Sequence, residues 1–196
     1  MEIKRKFIKF AELGVAATAV ATLVLVGCGG GGGGVSSPSG LALSGNMVDG
    51  YVQGATVTLD VNDNGICEST EPTTTTGPNG NFTFTAAQNP GGGQHMTCAS
   101  GGTDISTKLP FVGQLLAPPG ATQITPLTNV IMQQVLGSTP NATPAQITAA
   151  ANTAAANFAT TLGITLPADQ TLLTADPVAA TNPTSTLLQV TVAPWT

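Results

Sequence analysis

The chain has 196 residues, of which 41% are hydrophobic, 8% charged and 4% aromatic, with a formal net charge of −5. Four of its five basic residues precede Cys28, so the remainder sets Lys108 alone against eight acids, a net charge of −7. One cation cannot form the basic patch on which nucleic-acid binding depends, and that class is excluded. An ordinary apolar fraction argues against the disorder that acidity with few aromatics otherwise implies.

Residues 1–27 read as a leader rather than as part of the fold. Lys4, Arg5, Lys6 and Lys9 form a positive region, and Leu13 to Gly27 is apolar with only small residues and threonine interposed. The run is short for a transmembrane helix, and its flanks are those of an exported protein's signal. It ends in Leu25-Val26-Gly27-Cys28, which resembles the lipobox of bacterial lipoproteins. The resemblance implies cleavage before Cys28 and lipidation of that residue, with membrane attachment through the lipid. An ordinary signal peptide or an uncleaved anchor is the alternative. Gly29 in place of aspartate leans towards the outer membrane of a Gram-negative envelope. Residues 28–40 then form a tether, with six glycines from Gly29 to Gly34 followed by a Ser/Pro/Gly stretch. The roughly 160 residues beyond it suffice for one or two small domains.

Residues 41–119 carry an all-β pattern. Leu41 to Val48 reads as a strand bent at Gly45, and Asp49-Gly50 as a turn. Tyr51 to Val61 reads as the next strand, with Ala55 to Val61 alternating apolar and polar, the period of a half-buried strand. Pro78-Asn79-Gly80 predicts a hairpin turn, and Phe82 and Phe84 share one face of the strand after it. Met96 to Ala99 and Phe111 to Leu116 complete at least five strands, predicting a small β-sandwich.

Between strands lies Asp60-Val61-Asn62-Asp63-Asn64-Gly65-Ile66-Cys67-Glu68-Ser69-Thr70-Glu71. Oxygen-bearing side chains fall at its first, third, fifth, ninth and twelfth places and glycine at its sixth, the spacing of an EF-hand-type calcium loop. A hard cation seeks six to eight oxygens, so alternate residues must turn inward before a sharp bend. Asp60, Asn62, Asn64, Glu68 and Glu71 are the expected side-chain ligands, with Ile66 contributing its carbonyl. The β pattern on the entering side departs from an EF-hand proper, which needs flanking helices. A polar turn draws on the same residue types, but a full ligand pattern exceeds what a turn requires. Three carboxylates imply weak Ca2+ binding, on the order of 10⁻⁴–10⁻³ M as in extracellular modules.

With Cys28 lipidated, Cys67 and Cys98 remain as an even pair in an oxidising compartment and are expected to form a disulfide. Two unpaired buried thiols are the alternative.

The stretch Val48 to Val57, the loop Asp60 to Glu71, and Thr76 to Phe84 together resemble transthyretin-like sandwich modules. These include carboxypeptidase-regulatory-like domains and the calcium-binding B-type repeats of serine–aspartate adhesins. The resemblance covers about Leu41 to Thr85. It implies an Ig-like scaffold, spacer or binding domain without catalytic machinery, its acidic loop holding calcium. Gly77-Pro78 stands where the family usually has Thr-Asp, so no role of that aspartate carries over.

Residues 120–196 change period. Leu127, Val130, Ile131 and Val135 mark one face of a helix from Leu127 to Leu136, with Gly137 as its stop. Thr143-Pro144-Ala145-Gln146 is a capping box with proline at the first helical position. Ile147, Ala151, Ala154, Phe158 and Leu162 then recur at threes and fours until Gly163. Asp176-Pro177 reads as another helix start interrupted at Asn182-Pro183, and Leu187 to Val192 as a strand or an aborted helix. This part resembles a shortened member of a longer family.

The expected class is therefore α+β, a small transthyretin-like β-sandwich followed by a helical segment. Catalysis is not expected. His95 alone cannot build a site of two or three imidazoles, and no nucleophile elbow or phosphate loop is present. The expected function is structural or adhesive, in an exported, lipid-anchored envelope protein stiffened by Ca2+. A module binding envelope glycan or protein, or an accessory subunit of an exported enzyme, remains open.

Overall fold

The computed structural model describes residues 40–179. The leader, Cys28 with its tether as far as Ser39, and the segment Leu187 to Val192 lie outside the described residues. Within them the protein is α+β, with β-sheets followed by two helices, consistent with the expected sandwich-then-helices order. The strands are β1 (Leu43–Met47), β2 (Val52–Gln53), β3 (Thr56–Asp60), β4 (Thr73–Thr75), β5 (Asn81–Phe84), β6 (Met96–Ser100), β7 (Thr103–Asp104), β8 (Gln114–Ala117) and β9 (Gln123–Ile124).

One sheet has the order β5-β1-β9 and another the order β4-β3-β6-β8, while β2 and β7 form a separate pair. Every pairing is antiparallel except β1 with β9. The two larger sheets contribute to one hydrophobic core. Alternation explains which side chains enter it. Val57 and Leu59 of β3 and Phe82 and Phe84 of β5 are buried, while Thr56, Asn81 and Thr83 stay exposed. The two phenylalanine rings meet edge to face with centroids 6.0 Å apart, a favoured aromatic geometry. In β6 the first four residues are all buried, as befits a strand paired on both sides.

Three β expectations need correction. The strand expected from Tyr51 to Val61 is two, β2 and β3, because Gly54 takes φ 77° and ends the extended run. The last expected strand begins at Gln114, since Gly113 at φ 113° breaks the run that Phe111 starts. Pro78-Asn79-Gly80 does not close a hairpin. It carries the chain from β4 in one sheet to β5 in the other, closed by Gly80 N–H to Gly77 O at 3.0 Å and Gly77 N–H to Asn81 O at 2.8 Å. Gly80 has φ 68°, and a Cβ there would meet the Met47 carbonyl oxygen at 2.3 Å, so the crossing needs glycine.

Helix α1 (Pro126–Ser138) packs on β8 and α2 (Pro144–Thr161) packs on α1. Both begin with a threonine N-cap in a capping box, Thr125 with Thr128 and Thr143 with Gln146, and proline follows each cap. α1 runs through Gly137, which lies inside the helix. Its buried face is Thr128, Ile131, Met132 and Val135, while Val130 is 49% exposed. The Thr128 hydroxyl finds partners in the Thr125 and Leu116 carbonyls, which lets a polar residue take the core position. On α2, Ile147, Ala151, Ala154 and Ala155 are buried and Phe158 packs at the edge of the core. Leu162 is the C-cap and is exposed. No helix among the described residues is long and apolar enough to cross a membrane.

The chain beyond α2 returns to the sheets. Thr122 and Gln123 donate their N–H groups to the Leu173 carbonyl, and Leu172, Leu173 and Ala175 are buried in the common core. Asp176 caps a turn, accepting from Val178 N–H at 3.0 Å, and no helix follows up to residue 179.

Candidate metal centre

The loop of residues 60–71 is the connection of the β3–β4 hairpin. β3 delivers Asp60 as its last residue, and the ladder closes beyond the loop with Leu59 N–H donating to the Pro72 carbonyl at 3.0 Å. Strands therefore flank the loop on both sides, the first as the alternation before it foretells.

Inside the loop, side-chain oxygens of the expected ligands gather backbone N–H groups. Asp60 accepts from Asn64 N–H at Oδ1 (3.2 Å) and from Gly65 N–H at Oδ2 (2.8 Å). Asn62 Oδ1 accepts from Asn64 N–H (3.0 Å), and Asn64 Oδ1 from Ile66 N–H (2.8 Å). The Asn62 and Asn64 bonds are Asx-type turns to the second residue on, whereas Asp60 reaches four and five residues ahead, so alternate side chains fold inward while the backbone curls around them. Gly65 makes the sharp bend at φ 79°, where a side chain would be strained.

The later ligands close the ring. Glu68 accepts from the Asn62 amide at Oε2 (2.9 Å) and the Asn64 amide at Oε1 (3.3 Å). Glu71 accepts from Glu68 N–H at Oε2 (3.0 Å). Its other oxygen, Oε1, is buried and without a hydrogen-bond partner among the described residues. The Ile66 side chain is 63% exposed, leaving its backbone as the part that belongs to the loop.

Electrostatics sharpen the picture. Asp60 is 1% exposed and Glu71 7%. Burial first, and then the Glu71 and Asp63 charges, push the Asp60 carboxyl above its ordinary range against the opposing pull of the Gly65 and Asn64 N–H bonds. Two buried carboxylates thus repel each other, and one carries an orphaned oxygen. Buried anions need a counter-charge. A hard cation held by oxygen ligands would supply it, and on this count the residues fit calcium. Asp60, Asn62, Asn64, Glu68 and Glu71 and the Ile66 carbonyl would hold the ion. Among the described residues no group of three or more His, Cys, Asp and Glu side chains is gathered as a metal cluster. Three of the six expected donors are carboxylates and three are amide or carbonyl oxygens, and the Glu68 carboxylate accepts from the Asn62 and Asn64 side-chain amides.

Cys67 and Cys98 come together as a disulfide, with their Cα atoms 6.2 Å apart. It ties the loop to β6, where Cys98 pairs with Thr58 of β3.

A second tie was not foreseen. Asp63, at the loop's fourth place with φ 56°, turns away from the ligand positions and meets His95 Nδ1 at 2.9 Å. The signal available in the sequence was that Asp63 is the loop's one acid outside the ligand pattern and His95 the chain's one histidine. On the loop's outer side a cleft of about 350 Å³ lies against the α1–α2 connection, lined by Asp63, Asn64, Leu136, Thr139, Asn141 and Ile147 among others. Compared with protein-family models, curated proteins and solved structures, the chain matches none.

Proposed function

We propose that the protein is a non-catalytic, lipid-anchored component of a bacterial cell envelope, with the outer membrane favoured as its site. Its sheet-rich body, of transthyretin-like sandwich type, is stiffened by Ca2+ in the loop of residues 60–71 and serves a structural or adhesive role. The observation that carries the reading is the buried, partnerless Glu71 Oε1 close enough to buried Asp60 for their charges to interact. The lipobox-like Leu25-Val26-Gly27-Cys28 and the glycine tether support the address.

In this reading the ion neutralises the loop's acids and locks the β3–β4 connection, adding stability rather than chemistry. The test has two parts. Full-length protein produced with labelled palmitate acquires the label, and Cys28→Ser does not. The same protein melts at a higher temperature with millimolar calcium than with a chelator, and Asp60→Ala removes the difference. Label on Cys28→Ser, or equal melting curves, would count against the address or the metal respectively.

A second reading, a module binding envelope glycan, is favoured by the cleft beside the loop, whose wall mixes Asp63, Asn64, Thr139 and Asn141 with Leu136 and Ile147. Retention of the protein on immobilised envelope polysaccharide, lost in Asn141→Ala, separates it from the first.

A further inference from the structure

We propose that the Cys67–Cys98 disulfide gates the metal loop, so that thiol–disulfide state and calcium affinity are coupled in one unit. The inference rests on the calcium reading above and extends it to regulation of the same site.

The placement of the bridge carries the argument. Cys67 stands between Ile66 and Glu68, both expected ligands. Cys98 is 3% exposed and lies in β6, an inner strand of the four-stranded sheet. It faces Thr58 of β3 on one side and Leu116 of β8 on the other. Thr58 is two residues before Asp60, so the bridge connects the loop's second half to the strand beside the one that delivers its first ligand. The loop's two ends are already held by the β3–β4 ladder. Between them, the bonds that order Asn62 to Glu68 run within the loop, apart from the Asp63–His95 contact and this bridge.

Reduction by a dithiol breaks the Cys67–Cys98 bond with two electrons and two protons. Cys67 and Cys98 become thiols, and the reductant becomes its own cyclic disulfide. The ladder still presents Asp60, but the Ile66 carbonyl and Glu68 lose their tie to β6. Binding the cation must then order that half of the loop afresh, which weakens affinity. Linkage makes the effect reciprocal: bound calcium raises the resistance of the disulfide to reduction by the same factor. Calcium thereby protects the bridge, and the bridge preserves the site.

The experiment uses the full chain, oxidised and after treatment with dithiothreitol, titrated with calcium chloride in a calorimeter. Free thiols are counted by alkylation in reduced and oxidised dithiothreitol mixtures, with calcium and with a chelator. The expected result is an affinity about tenfold weaker in the reduced chain. A matching tenfold shift in the thiol–disulfide constant, about 30 mV, accompanies it and vanishes in Glu71→Gln. Equal affinities in both states, with thiol counts indifferent to calcium, would overturn the coupling while leaving the calcium reading intact. Absence of binding to the oxidised chain would overturn both. A reduced chain that loses its circular dichroism altogether would replace a local gate with global unfolding and also overturn the proposal.

Discussion

Glu71 and Glu68 meet backbone to side chain: the Glu68 N–H donates to Glu71 Oε2 at 3.0 Å, leaving Glu71 Oε1 buried with no partner among the described residues. Half of this carboxylate is built into the loop, and the other half is what a cation would complete. The relationship sets the sign of the first prediction. Glu71→Gln removes a buried charge, so in chelator it stabilises the protein by about 1 kcal/mol. In millimolar calcium the same variant lacks the rise in stability that the native chain shows. Denaturant midpoints of both proteins under both conditions therefore cross, and parallel behaviour would show that Glu71 meets no ion.

The disulfide closes a sequence separation of 31 residues. By loop-closure arithmetic, Cys67→Ser with Cys98→Ser costs about 3–4 kcal/mol. Urea unfolding under non-reducing conditions measures it, and a loss below about 1 kcal/mol would contradict the loop-closure account of the bridge.

Thr128 ties α1 to the sheet. It is wholly buried, its hydroxyl accepts from Thr125 N–H at 2.8 Å, and it faces the carbonyls of Thr125 (2.9 Å) and Leu116 (3.2 Å). Its one proton can serve either carbonyl. Thr128→Val keeps the shape but strands the Thr125 N–H, a loss of about 1–3 kcal/mol, whereas Thr128→Ser keeps that bond and loses only a buried methyl group, a cost of about 0.5–1.5 kcal/mol. The same denaturation series reads both.

Tyr51 donates to Asp176 Oδ2 at 2.7 Å. Burial first, then this bond and the Asp176 charge, raise its phenol from 10.0 to about 12. The folded chain therefore holds the phenolic proton after the unfolded chain has released it. This contribution to stability is full below pH 10 and is lost as the pH rises towards 12. Tyr51→Phe should flatten the fall in melting temperature across that window, and an unchanged slope would contradict the assignment.

Much of the fold was legible in local pattern. Alternation in Val57 to Leu59 and Phe82 to Phe84 marked the strands, and Thr143 to Gln146 marked the start of α2. These are signals that a few neighbouring residues carry by themselves. The loop's bend at Gly65 and its inward turns at Asp60, Asn62 and Asn64 follow from the same kind of short-range chemistry. What could not be read was set by partners far along the chain. Thr128 displaces Val130 from the buried face because Leu116, twelve residues earlier, accepts its hydroxyl. Pro78-Asn79-Gly80 has hairpin chemistry, yet β4 and β5 pair with different strands, so the turn links sheets instead. The Asp63–His95 contact spans 32 residues and has no local signature.

The measurement that tests the central claim most directly is a calorimetric titration of the oxidised full chain with calcium, beside Glu71→Ala. The account predicts one site with a dissociation constant on the order of 10⁻⁴–10⁻³ M, absent from the variant. No heat of binding and no change in melting temperature up to about ten times that upper bound would contradict it, and the loop would then be a polar turn held by its disulfide.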